Sequence, residues 1–346
     1  MSREQAQAMF RNVTAMAPMA TGGNLPYRRL CKEYGADLTC SEMILAHKLI
    51  KGSRREQPLL RRHDTETPFG IQIAGSKPEV MAEGARVVEQ LGADYLDLNF
   101  GCPIDLMVRK GIGSAALQRP NKLAAMVRAA RAATELPLLV KLRLGWSESK
   151  VNILETARIA AEEGADALSI HGRTREQRYR RDADWEQIDA AARSVSIPVL
   201  GNGDVLTVWD HRRRRAETAV SGVVLARGCL IKPWLFREIK DDAPWLPTVA
   251  ERWGVLRRWF ELACEHFGDD EKGLERVERF FLWHQGLWCR YRPYVEDDWA
   301  RSEGSLIQSR DAWPDDDPEA LLLASDDEAD HRVLWARLLD RDHPGA

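Results

Sequence analysis

Residues 92–103 read GADYLDLNFGCP, and this stretch contains the unit from which the fold is predicted. Gly92 can end the helical pattern that precedes it by adopting the left-handed conformation. The run at 95–99 is apolar and too short for a helix, which is typical of a buried strand. The triplet GAD recurs at residues 35–37 and 164–166, again between a helical pattern and an apolar run. The sequence therefore predicts a repeated helix-then-strand unit.

Short apolar runs rich in Val, Ile and Leu recur up to about residue 245. The predicted strands are Val13–Met19, Ala36–Cys40, Phe69–Ile73, Tyr95–Asn99, Leu138–Arg143, Ala167–Ile170, Pro198–Gly201 and Val223–Ala226. Ser76 and Asn152 each precede a Glu by three residues, which predicts two helix N-caps. Eight strands that alternate with helices predict an α/β fold, a (β/α)8 TIM barrel. An open doubly wound sheet is the second interpretation, although it would normally contain fewer strands.

Beyond residue 245 the strand-like runs disappear and apolar residues follow helical spacing. The clearest example comprises Trp253, Leu256, Trp259, Phe260 and Ala263. We therefore predict a barrel domain over residues 1–245 and a small C-terminal all-helical domain with an acidic tail over residues 246–346. The many tryptophans of this second part are interpreted as a helical core, and aromatic faces that stack on bases are the alternative.

The composition is that of a globular protein, with 44% hydrophobic and 30% charged residues in a chain of 346. No apolar run is long enough to span a membrane, and no signal region is recognisable at the N-terminus. The six cysteines form no CxxC pair, which argues against zinc and disulfide frameworks and favours a reducing compartment. We expect a cytoplasmic monomer without structural metal or membrane association.

The net charge of -3 does not by itself indicate a nucleic-acid partner. The distribution is more informative, because arginines cluster at 173–181 and 212–215 whereas acidic residues collect at 315–317 and 326–330. A basic body with an acidic tail can be neutral in sum. Solvated surface faces are the alternative interpretation of each cluster.

Active sites of (β/α)8 barrels lie at the carboxyl ends of the strands. The turns GNGD at 201–204 and ARG at 226–228 follow the last two predicted strands, where many barrels bind a phosphate. Lys141 and Arg143 alternate on one strand, so both can face the barrel mouth and an anionic ring. Gln72 offers a donor and an acceptor to an imide edge. His171 is either a ligand of this site or a satisfied histidine at a strand end.

Cys102 lies in a tight turn after the fourth predicted strand. An unperturbed thiol with a pKa of about 8.5 is mostly protonated at neutral pH and can act as a general acid. A thiolate nucleophile and a small packing residue are the alternatives. The position at a strand end, without a visible Cys–His–Asn arrangement, favours the acid.

These motifs resemble the tRNA-dihydrouridine synthase family. The resemblance rests on APM at 17–19, GNLPYRRL at 23–30, GAD…SEM at 35–43, NFGCP at 99–103, KGIG at 110–113, KLR at 141–143, HGRT at 171–174 and GNGD at 201–204. Segments 23–29, 103–106 and 274–293 are most similar to the branch that modifies the tRNA variable loop. The resemblance implies the barrel fold and a C-terminal domain that binds tRNA.

The resemblance also implies an NAD(P)H-dependent flavin oxidoreductase, with FMN as bound cofactor and NADPH or NADH as reductant. It assigns the cofactor to Pro18, Met19, Ala20, Gln72, Lys141, His171, Asn202, Gly203, Asp204, Ala226 and Arg227. It assigns the target uracil to Asn99, Arg143 and Tyr179, and the proton donor to Cys102. The implied reaction reduces the C5–C6 double bond of a uridine in tRNA to 5,6-dihydrouridine, with hydride delivered to C6 and a proton to C5.

Two other functions fit parts of the sequence. A flavin barrel dehydrogenase acting on a free pyrimidine would also handle a C5–C6 bond, but the basic loops and the extra helical domain argue against it. A non-catalytic RNA-binding barrel would not need the set of strand-end residues described above.

Overall fold

The computed structural model describes residues 1–314 and 316–340. Asp315 and residues 341–346, which belong to the predicted acidic tail and C-terminal domain, lie outside the described residues. The strands are β1 (Thr14–Met16), β2 (Thr39–Cys40), β3 (Ile44–Leu45), β4 (Phe69–Ala74), β5 (Tyr95–Asn99), β6 (Leu138–Arg143), β7 (Ala167–His171), β8 (Val199–Asn202) and β9 (Gly222–Leu225). Each of the eight predicted strands is present, and the short β3 was not predicted.

The strands form one parallel sheet that nearly closes into a barrel. Their order is β1-β9-β8-β7-β6-β5-β4-β2, with β3 paired to β4. The gap between the end strands β1 and β2 is bridged at one point. Ala15 pairs in parallel with Leu38, and Met16 N–H donates to the Leu38 carbonyl at 2.9 Å. The predicted TIM-like barrel is therefore confirmed, and the open doubly wound sheet is wrong.

Helices alternate with the strands and continue after them. They are α1 (Arg3–Ala8), α2 (Leu25–Glu33), α3 (Ala46–Ile50), α4 (Pro78–Gln90), α5 (Asp105–Arg109), α6 (Pro120–Arg131), α7 (Ile153–Glu162), α8 (Trp185–Arg193), α9 (Val208–Glu217), α10 (Arg227–Ile231), α11 (Leu235–Asp241), α12 (Val249–Phe267), α13 (Glu271–Trp288), α14 (Glu296–Arg301), α15 (Pro318–Ala324) and α16 (Glu328–Leu339). Short 3-10 helices cover Gln57–Leu60, Gly113–Gln118, Glu148–Lys150 and Leu306–Gln308. In the described part of the chain, none of these helices has the length and apolar character needed to cross a membrane.

The two predicted helix caps are wrong in detail. Helix α4 begins after Lys77 rather than Ser76, with no side-chain cap. Asn152 does precede α7, but its side chain makes no capping bond and instead donates from Nδ2 to the Leu117 carbonyl at 2.9 Å. A tertiary partner has replaced the local one in this case.

The chain forms two compact units. The first comprises residues 1–23, 37–203 and 211–226, and it contains all the strands. The second comprises residues 24–36, 204–210 and 227 to the end of the described chain, and it groups α2 with the C-terminal helices. The predicted domain limits, 1–245 and 246–346, describe a division along the chain and stay a prediction.

Apolar side chains fill the amino-terminal end of the barrel. The buried cluster comprises Phe10, Ala15, Ala17, Leu38, Cys40, Tyr95, Leu139, Ala167, Leu200 and Val224. Phe10 follows α1 and meets Tyr95 edge-on, with ring centroids 5.5 Å apart. Because this end is closed by packed side chains, the carboxyl ends of the strands are the open end of the barrel.

Aromatic side chains form the core of the second unit. His284 is fully buried and stacks on Tyr27 and Trp288, with ring centroids 4.2 and 5.1 Å apart. Trp259 meets the same histidine at 5.6 Å. Burial lowers the pKa of His284 to about 3, so the ring is neutral. The tryptophans at these positions serve as helical core, as the first interpretation predicted.

Packing inside the barrel gives a test of the fold. A Cβ added at Gly70 would lie 2.3 Å from the Tyr95 ring, whereas one added at Gly254, exposed on α12, would meet nothing within 4 Å. We expect Gly70→Ala to lower the free energy of unfolding by about 1–3 kcal/mol through overpacking. Gly254→Ala should raise it by up to about 1 kcal/mol. Urea unfolding measures both, and an unchanged midpoint for Gly70→Ala would contradict the position of Tyr95.

Candidate active site at the barrel mouth

The inner side chains of three neighbouring strands change from apolar to polar along the strand direction. Tyr95, Leu139 and Ala167 belong to the buried apolar cluster. The alternate positions that follow them are Asp97 and Asn99 on β5, Lys141 and Arg143 on β6, and Ser169 and His171 on β7. Alternate residues of a strand point to the same side of the sheet. The interior is therefore polar at the carboxyl ends of β5–β7, and we call this end of the barrel the mouth.

A chain of hydrogen bonds connects Asp97 to the turn that contains Cys102. Gln72 donates from Nε2 to Asp97 Oδ2 at 2.8 Å and accepts at Oε1 from Asn99 Nδ2 at 2.7 Å. Asn99 Oδ1 in turn accepts the backbone N–H groups of Gly101 and Cys102, at 3.1 and 2.8 Å. Gln72, Asp97 and Asn99 are all buried. The two amides therefore fix the Cys102 turn relative to a core carboxylate.

Two groups of opposite charge share the interior beside this chain. Burial raises the pKa of Asp97 to about 7, although the Gln72 hydrogen bond and the charge of Lys141 act to lower it. Burial lowers the pKa of Lys141 to about 8, with the charge of Arg143 acting in the same direction and that of Asp97 opposing it. Both groups thus change protonation close to neutral pH, which is typical of functional sites.

Arg143 joins the loops after β5 and β7. Its Nε donates to the Gly101 carbonyl at 2.8 Å, and its Nη1 donates to the carbonyls of Thr174 and Arg178, both at 3.0 Å. Its guanidinium carbon lies 5.7 Å from the centre of the Tyr179 ring. Burial lowers the pKa of Arg143 to about 10, so it remains charged at neutral pH. The loops therefore close around a fixed positive charge.

Cys102 is held at its backbone while its side chain stays partly accessible. It is half-buried, as is Cys264, whereas the other four cysteines are buried. Its carbonyl accepts the backbone N–H and the Oγ–H of Ser114, at 3.1 and 2.8 Å. Gly113 has a φ of 65°, and a Cβ there would lie 2.8 Å from the Cβ and the carbonyl oxygen of Cys102. Burial raises the pKa of the Cys102 thiol, so it carries its proton at neutral pH.

His171 has one fixed tautomer. Its Nδ1 lies 2.6 Å from Asn202 Oδ1, and Asn202 Nδ2 donates to the Val224 carbonyl at 2.7 Å. Because that carbonyl needs a donor, Asn202 Oδ1 must accept, and Nδ1 of the histidine carries the hydrogen. Burial lowers the pKa of His171 well below its ordinary value, so the ring is neutral. Its Nε2 is then a buried acceptor that bonds to nothing among the described residues.

The loop after β7 is tied to α5 by the Asp105 carboxylate. This carboxylate pairs with Arg175 and, at 2.6 Å, with Arg178. The hydrogen bond from Arg178 lowers the pKa of Asp105. Under the loop, the fully buried Arg173 donates from Nε to the Arg181 carbonyl at 2.9 Å. In the predicted basic cluster, the buried Arg173 and the half-buried Arg175 therefore order the loop rather than face solvent.

Other predicted cofactor residues of the first unit surround the ends of β1, β8 and β9. Pro18 and Met19 are half-buried, Ala20 is exposed, and Ala226 is half-buried. Gly203 is buried with a φ of 138°, and a Cβ there would lie only 2.4 Å from the Ala183 Cβ. The glycine thus lets the backbone of this turn lie close to Ala183 in the loop after β7.

The last two predicted cofactor residues belong to the second unit. Arg227 Nη2 lies 3.2 Å from Asp204 Oδ1. The cation predicted to meet a phosphate therefore has a carboxylate partner, which the sequence pattern did not indicate.

The sequence prediction missed several residues of the mouth, among them Asp97, Asp105 and Ser114. Asp97 shares the inner face with Asn99 at a spacing of two, and a charged residue inside a buried strand was the available signal. For Asp105, the available signal was an acidic residue next to the Cys102 turn in a chain whose loops are rich in arginine. No local signal pointed to Ser114, because its contact with Cys102 depends on the tertiary fold.

In the described residues no group of His, Cys, Asp and Glu has the geometry to hold a metal ion. Comparison with known families gives a match over residues 15–298 to the family described as "Dihydrouridine synthase (Dus)".

Curated relatives support the same family. The chain is 42% identical over 287 residues to "tRNA-dihydrouridine(47) synthase [NAD(P)(+)]-like" of Xenopus tropicalis, covering 82% of this chain and 45% of that protein. It is 40% identical over 293 residues to the protein of that name from Homo sapiens, covering 84% and 45%. The chain thus spans about half the length of the curated relatives it matches. The names agree with the predicted variable-loop branch.

Solved structures support the fold alone. A 2-naphthoyl-CoA reductase complex superposes with a TM-score of 0.51 at 14% identity, over 67% of this chain and 50% of that one. A 6-hydroxypseudooxynicotine amine oxidase from Pseudomonas geniculata gives a TM-score of 0.51 at 10% identity, over 74% and 53%.

The protonation of Asp97 gives a testable pH dependence. Its pKa of about 7 in the folded state lies above its ordinary value of about 3.9. The folded state therefore binds the Asp97 proton more tightly than the unfolded state does. The contribution of this proton to the free energy of unfolding is complete below about pH 4 and is lost as the pH rises through about 7. Lys141, with a pKa of about 8, titrates above this window.

We expect Asp97→Asn to remove this part of the dependence of the free energy of unfolding on pH. Denaturant unfolding at several pH values should show that the stability of the wild type falls relative to Asp97→Asn as the pH rises. Asp64→Asn, at an exposed position, is the matched control and should keep the wild-type profile. Parallel profiles for the wild type and Asp97→Asn would contradict the raised pKa.

Proposed function

The chain belongs to the dihydrouridine synthase family, and from this premise we propose that it reduces the C5–C6 bond of a uridine in tRNA to 5,6-dihydrouridine. The names of its relatives suggest position 47 as the target and NAD(P)H as the reductant. The observation that carries the proposal is the half-buried thiol of Cys102 at a mouth that also contains Lys141, Arg143 and His171. Burial raises the pKa of this thiol, which favours its protonated form.

The mouth fits FMN by the chemistry of its donors and acceptors. The orphaned Nε2 of His171 is a buried acceptor, which suits an O–H of the ribityl chain or an N–H of the flavin ring. Lys141 offers a cation to the electron-rich end of the ring, and Gln72 keeps a second Nε2 hydrogen beyond the one given to Asp97. Pro18, Met19, Ala20, Asn202, Gly203, Asp204, Ala226 and Arg227 are assigned to the rest of the cofactor. When bound, reduced FMN supplies the hydride that ends on C6 of the uracil.

Cys102 supplies the proton that ends on C5. Its raised pKa keeps hydrogen on Sγ until a carbanion-like C5 develops beside it. The charges of Arg143 and Lys141 favour the thiolate that remains, because both act to lower the same pKa. The thiol is therefore protonated before the step, and its conjugate base is stabilised after it.

Asn99, Arg143 and Tyr179 are assigned to the target uracil. One Nδ2 hydrogen of Asn99 bonds Gln72, and the other is the donor that we assign to a uracil carbonyl. Arg143 contributes its fixed positive charge where negative charge develops on the pyrimidine. Tyr179 lies at the edge of this site with its ring near that guanidinium.

We also propose that the C-terminal helices and the exposed arginines of the β7 loop bind the tRNA backbone. The chain would act as a monomer in the cytoplasm, where tRNA is available and where the cysteines of the described residues stay free thiols.

The function is tested directly with Cys102→Ala. We expect the purified variant to keep its bound flavin and its rate of flavin reduction by NADPH, and to lose dihydrouridine formation in tRNA by about 100-fold or more. Flavin absorbance and mass spectrometry of the RNA measure the two effects. Wild-type turnover in the variant would remove the acid role, and reduction of free uracil by the wild type would favour the free-pyrimidine enzyme.

The tRNA partner is tested by salt dependence. Arg180 is exposed on the β7 loop. We expect Arg180→Ala to reduce the slope of log Kd against log salt by about 1. Arg86→Ala on α4, where the arginine pairs with Glu83, should keep the slope. A salt-independent affinity of the wild type would exclude the proposed backbone contacts.

A further inference from the structure

Two aliphatic side chains project into solvent immediately after Cys102. Ile104 is 52% exposed and Leu106 is 50% exposed, and Tyr179, which follows the Arg178 that pairs with Asp105, is 54% exposed. Among the large hydrophobic side chains of the described residues, only Met1 is more exposed. Exposed apolar side chains that cluster at a functional opening indicate a contact surface.

The backbone that carries these side chains is held firmly. Asp105 stands between them, and its carboxylate is bound by Arg175 and Arg178. The Ile104 carbonyl accepts the N–H groups of Met107 and Val108 at 2.9 and 3.0 Å, which starts α5. These contacts fix the backbone of Ile104 and Leu106 close to the Cys102 turn.

We propose that Ile104 and Leu106 form an aliphatic wedge that enters the RNA base stack beside the target uridine. The inference rests on the proposed function. A uridine inside a stack must leave it to reach the thiol, and the vacated step exposes the faces of the neighbouring bases. Apolar wedges of this kind cover such faces in other nucleic-acid-binding proteins.

Charge around the wedge favours RNA as its partner. Arg109 and Lys110 follow it in the same connection, and Arg180 faces solvent on the neighbouring loop. These cations can bind the phosphates that flank a base step while Ile104 and Leu106 contact the bases. The Cys102 turn and the wedge share one short segment, so a base step held by the wedge lies beside the uridine that meets the thiol.

The test uses the FMN-loaded full chain and the double variant Ile104→Ser/Leu106→Ser. The matched control is Ile50→Ser/Leu91→Ser, which removes two exposed aliphatic side chains at the ends of α3 and α4, away from the mouth. The probe is an unmodified tRNA transcript with 2-aminopurine next to the target uridine. Its fluorescence rises when that base is unstacked, whether or not reduction follows.

We expect the wild type and the control to raise the fluorescence on binding, and the wedge variant to bind with a Kd within about threefold while losing most of the rise. Dihydrouridine formation by the wedge variant should fall by about tenfold or more in kcat. On a transcript with an abasic residue beside the target, where no stack has to be opened on that side, the loss should shrink to about twofold. A merely structural role would leave the loss unchanged on both substrates.

An undiminished fluorescence rise in the wedge variant, or an equal loss on the abasic transcript, would overturn the wedge; the patch would then serve a different partner. If the wild type unstacked the probe but formed no dihydrouridine, the proposed function would fail while the wedge stood.

Discussion

The side-chain amide of Asn99 is the interaction on which the mouth depends. One end bonds Gln72, which in turn bonds the buried Asp97, and the other end accepts two backbone N–H groups of the turn that contains Cys102. A rigid strand and a reactive loop are thereby connected through buried, directional bonds. Gln72 and Asn99 are bonded at both ends of their amides, whereas Asp97 Oδ1 is buried and bonds to nothing among the described residues. The position of the thiol is thus determined by the barrel rather than by the loop alone.

Positive charge organises the rest of the opening. Arg143 bonds the carbonyls of two loops, and Arg173 bonds a carbonyl of the β7 loop from below. Arg143 satisfies the carbonyls of Gly101 and Thr174 in buried bonds, and both guanidiniums bring positive charge to the loops at the mouth. The same residues therefore close the structure locally and create a site suited to electron-rich ligands. The raised pKa of the Cys102 thiol and the cations beside it suit the acid role that we propose for this residue.

Much of the fold could be predicted because it depends on repeated local patterns. Short apolar runs and the recurring GAD triplet were enough for eight strands, since each run must be buried on both faces of a parallel sheet. Strand β3, of two residues, carries no such pattern. The capping rule considers only residues close together in sequence, and it failed at both predicted positions. Helix α4 has no side-chain cap, and the Asn152 side chain bonds the distant Leu117 carbonyl instead of its own helix.

The site was predicted mainly through its strand ends and its resemblance to a family. The pattern indicated which residues reach the mouth, but not that Gln72 and Asn99 bond each other, or that Arg143 spends its donors on backbone carbonyls. These are long-range contacts, and they depend on strand register and loop conformation. Asp97 was within reach of the sequence argument, because a carboxylate on the inner face of a strand is costly unless it has a role.

Gly113 places a limit on how this site can diverge. Its backbone is left-handed, and any side chain there would collide with Cys102. A homologous chain that bears a larger residue at this place must have displaced or replaced the cysteine to which we assign the proton transfer. This single position therefore offers a simple way to separate lineages that retain the chemistry from those that have kept only the scaffold.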